Sequence, residues 1–119
     1  MSQIYQVIAP HRTNYPKPIQ LTQGQTVLLG RMDDDPEGWK NWRYCWTIDR
    51  TMEGWVPEQI IQKNGAEGII TEDYCANELH VNEGDIVELF RELNDWGWCR
   101  RNEEEEMGWI PMRNLRLGT

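Results

Sequence analysis

Seven tryptophans stand against a single phenylalanine in this chain of 119 residues. A buried indole needs a partner for its N–H, so so many of them suit aromatic recognition surfaces or wide, half-buried strands. Trp42, Trp55, Trp96 and Trp109 each recur within a repeated motif. Rings lining a groove pack an extended polyproline II segment, which loses little entropy on binding. The indole N–H then donates to a peptide carbonyl. Carboxylates supply the second chemistry. Asp33, Asp34, Asp35 and Glu37 form one acidic stretch, and Glu72, Glu78 and Asp95 are scattered through the second half. A negative field of this kind speeds association with basic segments and fades at high salt.

Other chemistries find no support. Cys45, Cys75 and Cys99 are an odd number without a CxxC pair, which fits neither a disulfide framework nor a zinc site. Reduced, mostly buried thiols are expected. His11 and His80 lack the spacing of metal ligands. There is no GxSxG, HExxH, phosphate loop or dinucleotide fingerprint. A non-catalytic protein without cofactor or metal is the expectation.

The chain is 39% hydrophobic and 27% charged, with a mean hydropathy of -0.76, as suits a globular domain. No apolar run approaches the roughly 20 residues that span a bilayer. Met1–Tyr5 lacks the pattern of a secretory signal, so a cytoplasmic address and no membrane partner are expected. Residues 1–63 hold seven basic and seven acidic side chains, whereas residues 64–119 hold five and thirteen, the whole of the net charge of -8. Such a surface repels phosphate backbones, and nucleic acid is not expected as a partner.

The elements that carry these residues come twice. Trp42-Arg43-Tyr44-Cys45 and Gly54-Trp55-Val56-Pro57 reappear as Trp96-Gly97-Trp98-Cys99 and Gly108-Trp109-Ile110-Pro111, at an offset of 54. Upstream, Ile19-Gln20-Leu21-Thr22-Gln23-Gly24 corresponds to Leu79-His80-Val81-Asn82-Glu83-Gly84 at an offset of 60. The first copy therefore carries six extra residues, placed in the loop-like stretch 33–38. The expected domains are residues 1–63 and 64–119, joined by a short connector at 62–67. Thr26–Leu29 and Ile86–Phe90 read as strands after glycine turns. Alternation puts Trp96 and Trp98 on one face with Cys99 on the other, and Trp42 and Tyr44 opposite Cys45. Glu103–Glu106 reads as a solvated hairpin tip. No helical period appears. An all-β fold follows, built as two tandem small barrels.

In these landmarks the chain resembles two tandem Src homology 3 (SH3) domains and is similar to bacterial variant-SH3 proteins. In the second copy Ile70–Tyr74 takes the place of the family's ALYDY strand. Leu79, Val81 and Gly84 follow in order, then Trp96, Cys99, Trp109 and Pro111. In the first copy Val7–His11, Ile19, Leu21, Gly24, Trp42, Cys45, Trp55 and Pro57 fill the same roles. The resemblance implies peptide-binding grooves. One would hold Trp96, Trp109, Pro111 and Tyr74 with Glu72, Glu78 and Asp95. The other would hold Trp42, Trp55 and Pro57 with Asp33, Asp34, Asp35 and Glu37.

Both copies depart from the family pattern. Ala9, His11 and Ile60 replace groove aromatics in the first, and Glu72 and Asn114 do so in the second. Each copy keeps the Trp–Trp–Pro half of the groove. The expected partner is a protein or peptide segment that is extended and basic or proline-containing. Two alternatives are a cell-wall or envelope-peptide module and a structural self-association domain with its tryptophan faces buried. Tyr15-Pro16-Lys17-Pro18 is itself a candidate polyproline segment. The sequence leaves the oligomeric state open.

Overall fold

A computed structural model describes residues 3–13, 17–33, 39–101 and 104–118. Twelve strands follow one another along these residues. They are β1 (Gln3–Val7), β2 (Gln20–Leu21), β3 (Thr26–Met32), β4 (Trp42–Thr47), β5 (Glu53–Pro57) and β6 (Ile61–Asn64). The second half continues with β7 (Glu67–Ile70), β8 (Tyr74–Cys75), β9 (Ile86–Leu93), β10 (Trp96–Arg101), β11 (Met107–Pro111) and β12 (Leu115–Leu117). Single 3₁₀ turns at Glu58–Ile60 and Met112–Asn114 follow the two prolines that end β5 and β11. The fold is all-β, as expected, and no helix among the described residues is long and apolar enough to cross a membrane.

Two five-stranded antiparallel sheets carry the structure. Their orders are β5-β4-β3-β7-β6 and β11-β10-β9-β1-β12. These orders are equivalent, with one difference: β7 of the second repeat lies in the sheet of the first, and β1 of the first lies in the sheet of the second. The compact units follow the sheets. A central unit comprises Lys17–Ala76, and a terminal unit joins Met1–Pro16 to Asn77–Thr119. The contiguous division 1–63 and 64–119 thus describes the repeats of the sequence but not the packed units.

The cause lies at the junction. Residues 62–67, expected as a connector, are the tip of a hairpin in which Asn64 faces Glu67. Gly65 and Ala66 alone make the turn, with Gly65 at φ 66°. This is the arrangement of a type II′ hairpin, which takes glycine first. A two-residue turn joins only antiparallel neighbours. Therefore β6 leads directly into β7 as its partner, and the place beside β6 and β3 is filled. β1 occupies the matching place in the other sheet, between β9 and β12.

Each core accepts the exchanged strand. Val7, with Leu79, Val81, Val87, Leu89, Cys99, Ile110 and Leu115, makes one cluster. Ile70 joins Ile19, Leu21, Val27, Cys45, Val56, Ile60 and Ile61 in the other. Val7 faces Leu115 as Ile70 faces Ile61. Burying either side chain contributes about 1.5–3 kcal/mol. The expected alternation holds: Cys45 and Cys99 are fully buried, while Tyr44, Trp96 and Trp98 on the opposite face stay partly exposed. All three cysteines are free, with Cys75 partly buried.

Candidate groove of the terminal unit

Trp96 opens β10 directly after a two-residue turn. Asn94 and Asp95 both have positive φ, the pattern of a type I′ hairpin that Asn and Asp tolerate. This turn puts exposed Asp95 beside Trp96. Asp95 C=O accepts the Met112 N–H at 2.9 Å, tying the turn to the 3₁₀ segment behind Pro111. Trp96 faces Pro111 across the β10–β11 ladder. In the central unit, Trp42 likewise faces Pro57, and Asn41 C=O accepts the Glu58 N–H at 2.9 Å. The repeat thus holds in space as well as in sequence.

The remaining wall of the Trp96 site comes from the exchanged segment. The His11 ring meets Trp96 edge-on, with centroids 5.4 Å apart. Its Nε2 lies 2.7 Å from Glu78 Oε1, and both side chains are about 15% exposed. Two backbone bonds with Val81 hold His11 in place. Asn114 Nδ2 donates to Ala9 and Pro10 carbonyls at 3.3 and 3.2 Å. Here Asn114, where the family carries an aromatic, clamps the incoming strand.

Trp109 is 6% exposed and packs against Trp98, with centroids 5.2 Å apart. Its N–H and C=O pair with Asn77 C=O and Leu79 N–H, so it anchors the loop arm that presents Glu78.

Tyr74 and Glu72, assigned by sequence to the Trp96 groove, lie in the central unit instead. The Tyr74 hydroxyl donates to Trp55 C=O at 2.9 Å. Trp42 is 6% exposed, whereas Trp55 stays partly exposed, with Tyr44 edge-on at 5.1 Å and the Arg31 guanidinium 5.0 Å from its centroid. Asp33 Oδ2 accepts the Trp39 N–H at 3.0 Å, so this carboxylate is engaged within the chain. Asp34, Asp35 and Glu37 lie outside the described residues, as do Tyr15, Pro16 and Glu103. Beside Pro57, Arg43 Nε donates to Glu58 Oε2 at 2.9 Å, and Lys63 Nζ lies 2.6 Å from Glu58 Oε1. The Arg43 hydrogen bond, aided by Lys63, holds the Glu58 carboxyl below its ordinary range.

Sequence reasoning passed over two residues. His11 reads in sequence as a histidine without metal-ligand spacing and as a departure from the family pattern, and its partner Trp96 lies in the other repeat. Trp46 packs edge-on against Tyr44 at 5.3 Å, with the Arg50 guanidinium 5.7 Å from its ring. The alternation Trp42-x-Tyr44-x-Trp46 was its available signal.

Among the described residues no group of three His, Cys, Asp or Glu side chains could hold a metal ion. The geometry brings together a half-buried indole, an imidazole and a carboxylate. No curated protein and no solved structure matches the chain. The variant SH3 domain family matches residues 4–64 and again residues 68–118. Domains of this kind are generally protein-interaction modules and typically non-catalytic. With nearly its whole length matched in two copies, the chain belongs to the variant SH3 domain family.

Proposed function

We propose that the chain is a non-catalytic interaction protein whose terminal unit binds an extended, basic or proline-containing peptide segment across Trp96. The observation that carries this reading is the His11–Glu78 pair set against a partly exposed Trp96 ring. Glu78 Oε1 is engaged by His11, and the carboxylate lies where it attracts a Lys or Arg side chain of the ligand. Asp95, exposed one residue before Trp96, adds to the same field. Trp96 supplies the apolar floor against which a polyproline II segment packs, with buried Pro111 behind it. Trp109 supports this floor from within.

Titration with basic, proline-containing peptides tests the reading by calorimetry. Trp96→Ala is expected to weaken binding by about 30-fold, the scale of an aromatic hot spot. Raising the salt from about 0.05 to 0.5 M is expected to weaken it further by shortening the Debye length. Equal affinity in Trp96→Ala would contradict the proposal.

A second reading, that the tryptophans are structural rather than ligand-binding, draws on the 6% exposure of Trp42 and Trp109 within the chain. Acrylamide quenching separates the two, because the peptide reading requires an accessible Trp96.

A further inference from the structure

The turn at Gly65–Ala66 completes the central sheet with β7 and leaves β1 surplus to its own repeat. In the terminal unit the reverse holds. β9 and β12 are bridged by β1, and without it each presents an unpaired row of backbone groups to the same slot. One chain therefore carries both a donor strand and its acceptor. We propose that residues 3–13 also dock between β9 and β12 of a second copy of this chain. The product is a strand-exchanged dimer in which His11 of each copy completes the Trp96 site of the other.

The recognition chemistry is specific to this segment. Gln3–Gln6 pair in register with Leu89–Ile86, and Tyr5–Val7 pair with Leu117–Leu115. Val7 enters the core and Tyr5 packs against it. Val7 N–H donates to Asp85 C=O and Val7 C=O accepts the Gly84 N–H, both at 2.8 Å. Arg12 Nη1 donates to Val81 C=O at 2.7 Å, and His11 exchanges two backbone bonds with Val81. Each of these bonds ends on the second repeat. They are the same whether the acceptor belongs to the same chain or to another, so the exchange keeps the whole interface. A foreign strand would have to match both ladders and the Val7 position. A second copy does so by identity.

Tethering sets the balance. A donor on its own chain acts at an effective concentration on the order of mM, so the monomer dominates at micromolar protein. The dimer-to-monomer ratio is expected to rise about tenfold for each tenfold increase in protein concentration during refolding. The exchange stands whether or not the Trp96 site takes a peptide.

The test mixes two full-length chains, both carrying Cys75→Ser, one with Gln6→Cys and the other with Ile86→Cys. Gln6 and Ile86 face each other across the β1–β9 ladder. After joint unfolding and refolding at high concentration, oxidation is expected to give a disulfide-linked dimer. Pairing Gln6→Cys with Phe90→Cys is expected to give at least tenfold less, because Phe90 lies outside the register. Light scattering of the unsubstituted chain, refolded at the same concentrations, provides a measurement free of substitutions. A dimer fraction that grows with concentration, together with the register-specific crosslink, supports the proposal. Only monomer at every concentration, or crosslinking indifferent to register, overturns it.

Discussion

His11 Nε2 lies 2.7 Å from Glu78 Oε1, although the two residues belong to different sequence repeats. The contact exists because β1 and the segment after it cross from the first repeat into the sheet of the second. The His11–Glu78–Trp96 cluster is thereby assembled from both halves of the chain. Neither repeat, taken as a contiguous stretch, contains the His11–Glu78–Trp96 group.

The strand exchange makes a directional prediction at the core. Val7 is 1% exposed and belongs to the core cluster of the terminal unit. Val7→Ala is expected to cost about 2 kcal/mol through lost burial and the cavity left behind. Hydrogen exchange is the readout. Protection should fall in β9–β12 while β3–β6 keep theirs. Loss confined to β3–β6 would place Val7 in the other core.

The central unit is continuous in sequence and holds all five strands of its sheet. A fragment of residues 17–76 is therefore expected to fold alone, with dispersed amide resonances and a cooperative thermal transition. A disordered spectrum would show that the unit depends on the rest of the chain.

Two equivalent glycines are expected to differ. A Cβ at Gly108 would lie 2.6 Å from Leu79 N and 2.9 Å from Glu78 C, both backbone atoms. At Gly54 the nearest atom is the Ile19 side-chain methyl at 3.1 Å, a less severe approach and to a side chain rather than to backbone. Gly108→Ala should cost about 2–3 kcal/mol and Gly54→Ala about 1 kcal/mol, by denaturant unfolding. The larger loss at Gly108 should also displace the arm that carries Glu78. Equal costs would contradict the close backbone approach.

Burial pushes the thiols of Cys45 and Cys99 up to about 12, from 9.0 in the open chain. The folded state holds these protons where the unfolded state releases them, so stability falls as pH rises. The thiols' contribution is complete below pH 9.0 and is lost progressively as pH climbs towards about 12. Thiolate-specific alkylation at pH 8 should modify neither residue in the native protein and both after denaturation. Fast native labelling of Cys99 would contradict its place in the core.

Much of this was legible in the residues. The offset of 54 between Trp42 and Trp96 revealed the repeat, and alternation around Cys45 and Cys99 told the core face from the outer one. Side-chain periodicity specifies which face a residue occupies, but not which sheet its strand joins. Hence β1 and β7 read as first strands of their own repeats, and Tyr74 was grouped with Trp96. The deciding feature was the spacing around Asn64-Gly65-Ala66-Glu67, where the turn is too short for anything except a hairpin. The burial of Trp42 and Trp109 was illegible for a related reason. Both lie on the face that alternation marks as outward, and long-range packing decides how much of the ring stays exposed.

The composite Trp96 site is tested most directly by ¹H–¹⁵N and His-ring NMR spectra recorded while a basic, proline-containing peptide is added. Saturable shifts are expected at the Trp96 indole and the His11 ring together, with Trp42 and Tyr74 unmoved. Silence at Trp96, or shifts shared by Trp96 and Tyr74 without His11, would contradict the account.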